Sequence, residues 1–285
     1  MDLEVMEDEI YEISSELYEE YDYTSKSKPS VNPKGIVSQL PFNLPAYSIT
    51  DKEGDMLIPR RNRKKSEYDE FLDIEHIGST NLRLVGLQIW RGALLLADWF
   101  LHHGHSLSQN DFILELGSGV GLSSIVASMF TPVICTDVDR ADIFKTIRAN
   151  VMRNAHLSKY PVEILELDFT AEQLPEKISA LLPKIKLIFA ADVIYDDHLT
   201  EAFVKTVKRL LDIPPQRSIL IALEKRYVFT ISDCDTCAPC YDYFLESIKS
   251  LSNVIMEEVP LDFPQYFKYD RCKELVLWKI TSKNQ

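Results

Sequence analysis

An open, doubly wound α/β sheet is the fold this chain predicts, and three observations carry the prediction. From residue 112 onward, short apolar runs alternate with longer segments of helical periodicity. Two of the runs, Leu187-Ile-Phe-Ala-Ala191 and Ile219-Leu-Ile-Ala222, are apolar at consecutive positions, as in strands buried on both faces. Phe112-Ile-Leu-Glu-Leu-Gly-Ser-Gly-Val-Gly121 is an apolar run that ends in Glu115 and a glycine-rich turn. Leu122-Ser-Ser-Ile-Val-Ala127 then begins a helix. Right-handed crossovers between parallel strands place helices on both faces of such a sheet.

Taken in order, Phe71–His76 reads as a strand and Trp90–Leu101 as an amphipathic helix that leads into strand 112–116. Helix 122–130, strand 132–136, helix 140–155, strand 162–167, helix 173–182 and strand 186–191 follow. The chain then predicts helix 198–211, strand 218–223, helix 240–251 and strands 254–259 and 274–280. Residues 68–285 are therefore assigned to one domain, and residues 1–67 to a poorly ordered acidic extension and linker. Within that extension, Glu9–Tyr23 is either a helix with Ile10, Ile13, Leu17 and Tyr21 on one face or a disordered acidic segment. Residues 24–50 are rich in Ser and Pro and read as linker.

Charge narrows the function classes. The net charge is −13, and residues 1–22 hold ten acids with no Lys or Arg. A nearly neutral body with an acidic tail is a poor match for a nucleic-acid binder, whose affinity comes from neutralising phosphates. The tail suits a basic protein partner, or serves solubility alone. The most apolar stretch, Gly92–Leu101, is short and carries Asp98, so no membrane span is expected. No basic-then-apolar leader opens the sequence, which points to an intracellular setting. The cluster Arg60-Arg-Asn-Arg-Lys-Lys65 reads as a nuclear import signal, an anion-contact patch or a solvated linker. Nucleus and cytoplasm are the expected locations. Cys234, Cys237 and Cys240 form C-x2-C-x2-C. With no second such pair, reduced cysteines in a loop are preferred to a metal site.

The glycine spacing selects among nucleotide ligands. A dinucleotide fingerprint is G-x-G-x-x-G, but here Gly117, Gly119 and Gly121 alternate and Leu122 takes the place of the third glycine. Glu115, two residues ahead, suits a ligand that carries an ammonium. Glu115–Gly121, E-x-G-x-G-x-G, resembles motif I of the seven-stranded S-adenosyl-L-methionine-dependent methyltransferases, and the resemblance implies that Gly117-Ser118-Gly119 with Glu115 takes the zwitterionic end of that ligand rather than a pyrophosphate. Asp137 ends the second strand, where a carboxylate can accept both ribose hydroxyls; a helix N-cap is the alternative, which Asp139 could equally supply. Asp168 and Phe169 end the third, placed to meet an adenine amino group and ring, or to serve as a cap and a core aromatic. Ala191 leaves room at the end of the fourth strand. Asp192 and Tyr195 follow directly, an acid and a phenol suited to an incoming amine, or else a helix cap and a core residue. Trp90 either walls the methionine end of the ligand or packs in the core.

Together these stretches resemble the family-16 protein lysine methyltransferases over about Ile74–Ile280. The resemblance rests on Gln88–Asp98, Leu114–Leu122, Cys135–Asp137, Glu166–Phe169, Phe189–Asp197, Glu224–Arg226 and Leu275–Ile280. It implies a seven-stranded Rossmann-like methyltransferase fold using S-adenosyl-L-methionine. Trp90, Gly117, Gly119, Asp137, Phe169 and Ala191 would line the cofactor. Asp192–Tyr195 would match the family's D-x-x-Y near the acceptor lysine, and Glu224 would stand by the substrate cleft. Phe169 departs from the family's usual Trp. The implied partner is a protein that presents a lysine, basic in character, of chaperone type or nuclear. A turnover-free binding protein and a small-molecule methyltransferase are the competing readings.

Overall fold

The alternating runs become strands and helices within three residues of where periodicity puts them, from the helix that begins at Arg91 to the last strand. The structure is a computed structural model, and it describes residues 12–23, 28–45, 49–50, 56–57, 67–230 and 235–283. In chain order the elements are α1 (Leu17–Glu20), β1 (Ile36–Phe42), β2 (Ile49–Thr50), β3 (Met56–Leu57) and β4 (Glu70–His76). After a 3-10 turn at Leu82–Leu87 come α2 (Arg91–His103), β5 (Phe112–Leu116), α3 (Leu122–Ala127), β6 (Val133–Asp137), α4 (Ile143–Arg153) and β7 (Val162–Glu166). The chain continues through α5 (Glu176–Leu181), β8 (Ile185–Ala191), α6 (Asp197–Asp212) and β9 (Ser218–Glu224). Next come β10 (Val228–Thr230), β11 (Asp235–Cys237), α7 (Pro239–Lys249), β12 (Val254–Glu258) and β13 (Leu275–Ser282).

Seven strands form one sheet in the order β12-β13-β9-β8-β5-β6-β7. All run parallel except β13, which lies antiparallel between β12 and β9. The order reverses at β5 and β8, so the carboxyl ends of these two strands open a crevice, the place where such sheets take ligands. Packing follows from burial on both faces. On one side α2 lays Leu94, Leu95, Leu96, Phe100 and Leu101 against β8, β9 and α3; on the other, Phe203, Val207 and Leu210 of α6 meet Phe244 and Ile248 of α7.

Helix α2 also corrects the membrane reading at the level of composition. Leu82–Ser106 is 25 residues long and apolar enough to span a bilayer, but 72% of its apolar 18-residue window is buried inside the protein. Its one acid, Asp98, is fully buried and accepts hydrogen bonds from the Tyr266 and Phe267 amides (2.8 and 3.0 Å) and the Tyr269 hydroxyl (2.9 Å), and it pairs with Arg271 (2.6 Å). A buried acid survives when it is paired and bonded in this way. Here it fastens the loop ahead of β13 to the core helix.

The amino-terminal boundary is the main correction. The sequence reading places residues 1–67 outside the domain, yet residues 12–23 and 28–45 pack onto it. Strand β1 pairs with β4 over seven residues, from Ile36 with His76 to Phe42 with Glu70. Leu17, Leu40 and Phe42 are buried in the main core, and Phe42 stacks on Phe267 with centroids 4.7 Å apart. The helix considered for residues 9–23 is reduced to Leu17–Glu20, while Ile13 makes a bridge to Thr80. Residues 1–11 and the basic cluster at 60–65 lie outside the described residues.

The other edge of β4 is completed by side chains of α4. Asn150 accepts from the Glu75 amide (2.7 Å) and donates to the Glu75 carbonyl (3.0 Å); Asn154 does the same for Asp73 (2.9 and 2.8 Å). Two amides thus imitate a neighbouring strand and dock the β1–β4 pair on the sheet domain.

Removal of residues 1–67 would take away β1 and the burial of Leu17, Leu40 and Phe42, each worth about 1.5–3 kcal/mol. Residues 68–285 alone should lose the cooperative melt and the near-ultraviolet circular dichroism of the full chain. A shortened chain that melts within a few degrees of the full one would contradict this integration.

Candidate active site

At the carboxyl end of β5 the backbone turns through three glycines, all with positive φ: Gly117 (+68°), Gly119 (+53°) and Gly121 (+81°). Space matters as much as torsion at Gly119. A Cβ there would lie 2.6 Å from the Gly86 carbonyl oxygen, so the loop can pass under the Leu82–Leu87 turn only without a side chain. A crevice of about 150 Å³ opens beside it. Its walls include Trp90, Glu115, Gly117, Ser118 and Gly119, and, from the next strand ends, Asp137, Asp168, Phe169, Ala191, Asp192 and Tyr195. All eleven candidate residues read from the sequence therefore converge on one cavity.

Each side chain has a definite setting. Glu115 is buried at the floor and accepts from the Ser124 hydroxyl; burial raises its carboxyl to about 8. Asp137 accepts from the Gly119 amide and from Val138 (both 2.8 Å), and burial raises it to about 6. It does not cap α4, whose nearest side-chain contact is Asp139 to the Phe144 amide (3.3 Å). Asp168 accepts from the amide and hydroxyl of Thr170 (2.8 and 2.7 Å), an Asx turn that lowers its carboxyl. Phe169 stands edge-on to Phe203 (5.3 Å) beside Gly117. Trp90 donates from Nε1 to the Val85 carbonyl (2.9 Å), which fixes the indole as a wall.

Asp192 has a role that spacing alone does not disclose. Its φ is +49°, and its amide donates to Ala222 (2.9 Å). Oδ1 accepts from the Glu224 amide (2.9 Å) and Oδ2 from Gly92 in the first turn of α2 (2.6 Å). It caps α2 across 100 residues of chain, while α6 is capped by Asp196 through the Leu199 amide (2.9 Å). Burial raises its carboxyl, while nearby Arg226 and the two amides oppose the rise. Tyr195 is pushed up to about 12 by burial and by Asp137 and Asp196, so it is a neutral phenol at physiological pH.

A second cavity of about 220 Å³ adjoins the first. It is lined by Ile13, Leu223, Glu224, Arg226, Cys240 and Tyr241 among others, and it shares Val85, Trp90, Asp192 and Tyr195 with the crevice. The Arg226 guanidinium lies 4.5 Å over the Trp90 ring. Arg91 and Arg226 lie in the stretches Gln88–Asp98 and Glu224–Arg226 that carry the resemblance but had no role assigned there, and no motif singles out Ile13. Gly92, in the first of these stretches, had no role assigned either: a Cβ there would meet Asp192 Oδ2 at 2.6 Å. Cys237 and Cys240 are half-buried and Cys234 lies outside the described residues; among the described residues no three metal-ligating side chains converge.

The crevice fits S-adenosyl-L-methionine by the chemistry of its walls. Asp137 and Asp168 stand beside the glycine turn as acceptors for hydroxyl and amino groups, with the buried acid Glu115 at its floor, a polar wall that suits a nucleoside with an ammonium and opposes a pyrophosphate. Trp90 and Phe169 add aromatic faces.

Comparison with known proteins agrees with this chemistry. A family model described as lysine methyltransferase matches residues 49–236. Methyltransferase-like protein 22 of Homo sapiens is 34% identical over 268 residues, covering 84% of this chain and 66% of that protein. Its Mus musculus counterpart is 38% identical over 256 residues, covering 82% and 64%. Protein-lysine N-methyltransferase EFM3 of Chaetomium thermophilum is 28% identical over 146 residues, covering 50% and 43%. The chain thus spans a little under two thirds of the length of the first two proteins.

Two outcomes test the crevice. Gly119→Ala should weaken S-adenosyl-L-methionine binding at least about tenfold in calorimetry, since both torsion and the Gly86 contact oppose the methyl group; unchanged affinity would contradict the loop assignment. Glu115 holds its proton more tightly folded than unfolded, so its contribution to stability is present below pH 4.5 and is lost as pH rises toward 8. Glu115→Gln should therefore gain melting temperature relative to the parent at pH 8.5 compared with pH 5, and a pH-independent difference would remove the buried acid from this role.

Proposed function

The chain belongs to the lysine methyltransferase family whose model matches it, and from that premise we propose that it is an S-adenosyl-L-methionine-dependent protein-lysine N-methyltransferase. The observation that carries the proposal is the junction of the two cavities. Trp90, Asp192 and Tyr195 face both, so a ligand in the first and a side chain in the second would meet at that wall. When bound, S-adenosyl-L-methionine supplies a sulfonium-activated methyl group. Glu115, the Gly117–Gly119 loop, Asp137, Asp168, Phe169, Ala191 and Trp90 would hold it.

The chain's own residues then have two tasks. The first is alignment, since an in-line transfer gains most of its rate from orientation. Asp192 fixes the strand ends and the start of α2, and Trp90 closes the wall. The second is to accept a cation and let it become neutral. A lysine of pKa ~10.4 costs about 4 kcal/mol to deprotonate near pH 7.4. Glu224 Oε2, which has no hydrogen-bond partner, and the Tyr195 hydroxyl are acceptors for the ammonium N–H groups. Burial of the pocket and the apolar Ile13, Leu223 and Ile194 around it disfavour the charged form and favour the free amine. The proton leaves along the open side of the second cavity to water.

A protein partner of basic character, chaperone-type or nuclear, and a nuclear or cytoplasmic location belong to the same reading. They are supported by the acidic amino-terminal sequence and by the basic cluster at 60–65.

Incubation of the full chain with tritiated S-adenosyl-L-methionine and cell lysate should label protein, with the methyl group on lysine by mass spectrometry. Tyr195→Phe should bind the cofactor as the parent does and transfer about a hundredfold more slowly. Absence of label, or label on another residue type, would overturn the reading; full activity in Tyr195→Phe would remove the hydroxyl from it.

A further inference from the structure

The wall of the second cavity is made partly by a segment far away in sequence. Residues 13–20 cross the Thr80–Arg91 stretch as a strap. Ile13 and Thr80 exchange backbone hydrogen bonds (2.7 and 2.9 Å). Gln88 accepts from the Ser15 amide and donates to the Ile13 carbonyl (both 2.7 Å). The Tyr18 hydroxyl accepts from the Ile89 amide (2.9 Å), its ring stacks on His76 (4.7 Å), and Leu17 is buried beneath. This holds the strap at the back of Trp90 and brings Ile13 into the cavity lining.

The strap also carries charge to the cavity. Glu20 pairs with Arg91, Arg91 with Glu224, Arg226 with Glu16 at 3.1 Å, and Arg226 reaches Glu224 at 3.8 Å. Asp192 faces the same network, and Lys225 lies 5.0 Å over the ring of Tyr241 on the cavity wall. With the strap in place, four carboxyl groups stand against three cations. Without Glu16 and Glu20, two would stand against three, and the balance of the network around the cavity changes sign. Arg226 is the cation whose position decides the matter, since it lines the cavity itself. Glu16 and the Trp90 face hold it to one side; released from Glu16, its other partner is Glu224.

We propose that the strap is part of the acceptor site, and that Glu16 is a positioning residue which holds Arg226 against Trp90 and so keeps Glu224 and the second cavity open to a cationic side chain. This rests on the reading of that cavity as the acceptor-lysine site. Glu16 acts through Arg226 and is itself 45% exposed, so its replacement leaves the core intact.

The test uses the full chain, tritiated S-adenosyl-L-methionine and lysate protein titrated over a hundredfold range. Glu16→Gln should raise the half-saturating lysate concentration about threefold and Glu16→Lys about tenfold. The rate at saturation, the cofactor affinity and the melting temperature should stay near the parent's, and Glu16→Asp should restore most of the loss. Half-saturation unchanged in Glu16→Lys, with the parent labelling lysine, would overturn the proposal and leave the activity standing. A loss confined to melting temperature or cofactor affinity would overturn it too, as a purely structural role. If the parent labels no lysine, the reading beneath falls and the proposal with it.

Discussion

The carboxylate of Asp192 is the constraint on which both cavities depend. It binds the Gly92 amide at the start of α2 and the Glu224 amide at the end of β9, while its own amide is tied to Ala222. Three elements are thereby locked at one point. The arrangement has costs: a buried acid, and a left-handed backbone at a residue other than glycine, about 1–3 kcal/mol for the torsion alone. The charge is offset by two N–H donors and by the positive end of a thirteen-residue helix. A torsion of this kind persists when its surroundings over-determine it, and three backbone contacts do so here. Trp90, one residue ahead of α2, inherits its position from this lock.

The same solution recurs elsewhere in the molecule. Asp98 gathers two amides, a phenol and an arginine, and so pins the 266–271 loop to α2. Glu75 is fully buried, accepts from Ser30, Val31 and Asn32 and pairs with Arg153, which pins the start of the β1 segment to β4. In each case a carboxylate supplies acceptors for irregular backbone that no strand or helix satisfies. Apolar packing builds the two layers on the sheet, and these acids fix the peripheral segments to them. A carboxylate demands its donors within narrow distances, so it fixes a loop's place more tightly than a methyl contact would.

That division also explains what could be read from the chain alone. Strands such as Ile219-Leu-Ile-Ala222 and the helix at 197–212 announce themselves by period, because burial on one or two faces writes itself into consecutive residues. The glycine turn was legible because three unusual backbone torsions leave three glycines. Ten of the eleven candidate residues of the crevice followed from their places at or just beyond strand ends, and Trp90 from the start of the helix ahead of β5. The amino-terminal part of the second cavity's wall was legible only as an open choice between a helix and a disordered segment at residues 9–23. Leu17 is a single buried leucine among acids, β1 contains Pro41 and Ser38, and its partner strand begins 28 residues further on, so no local window holds the pattern. Asp192 was read as a residue facing an amine or capping the next helix. Its two backbone partners lie 32 and 100 residues away, and pairings of that kind leave no spacing to detect.

Architecture and charge then divide between the two ends of the chain. The parallel core shapes the crevice through a turn after β5, Asp137 and Asp168 at the ends of the next two strands and Ala191 at the end of β8. The second cavity takes its walls from Glu224 at the end of β9, Arg226 beyond it, Tyr241 at the start of α7 and Ile13 from the strap. Ion pairs among Glu16, Glu20, Arg91, Glu224 and Arg226 link the strap to the end of β9, beside its backbone bonds to Thr80 and the buried Leu17. Ionic joints between partly exposed groups weaken with salt and tolerate substitution better than packed layers do. The crevice thus rests on the sheet and the second cavity on its attachments, and Trp90, Asp192 and Tyr195, which line both, tie the two together.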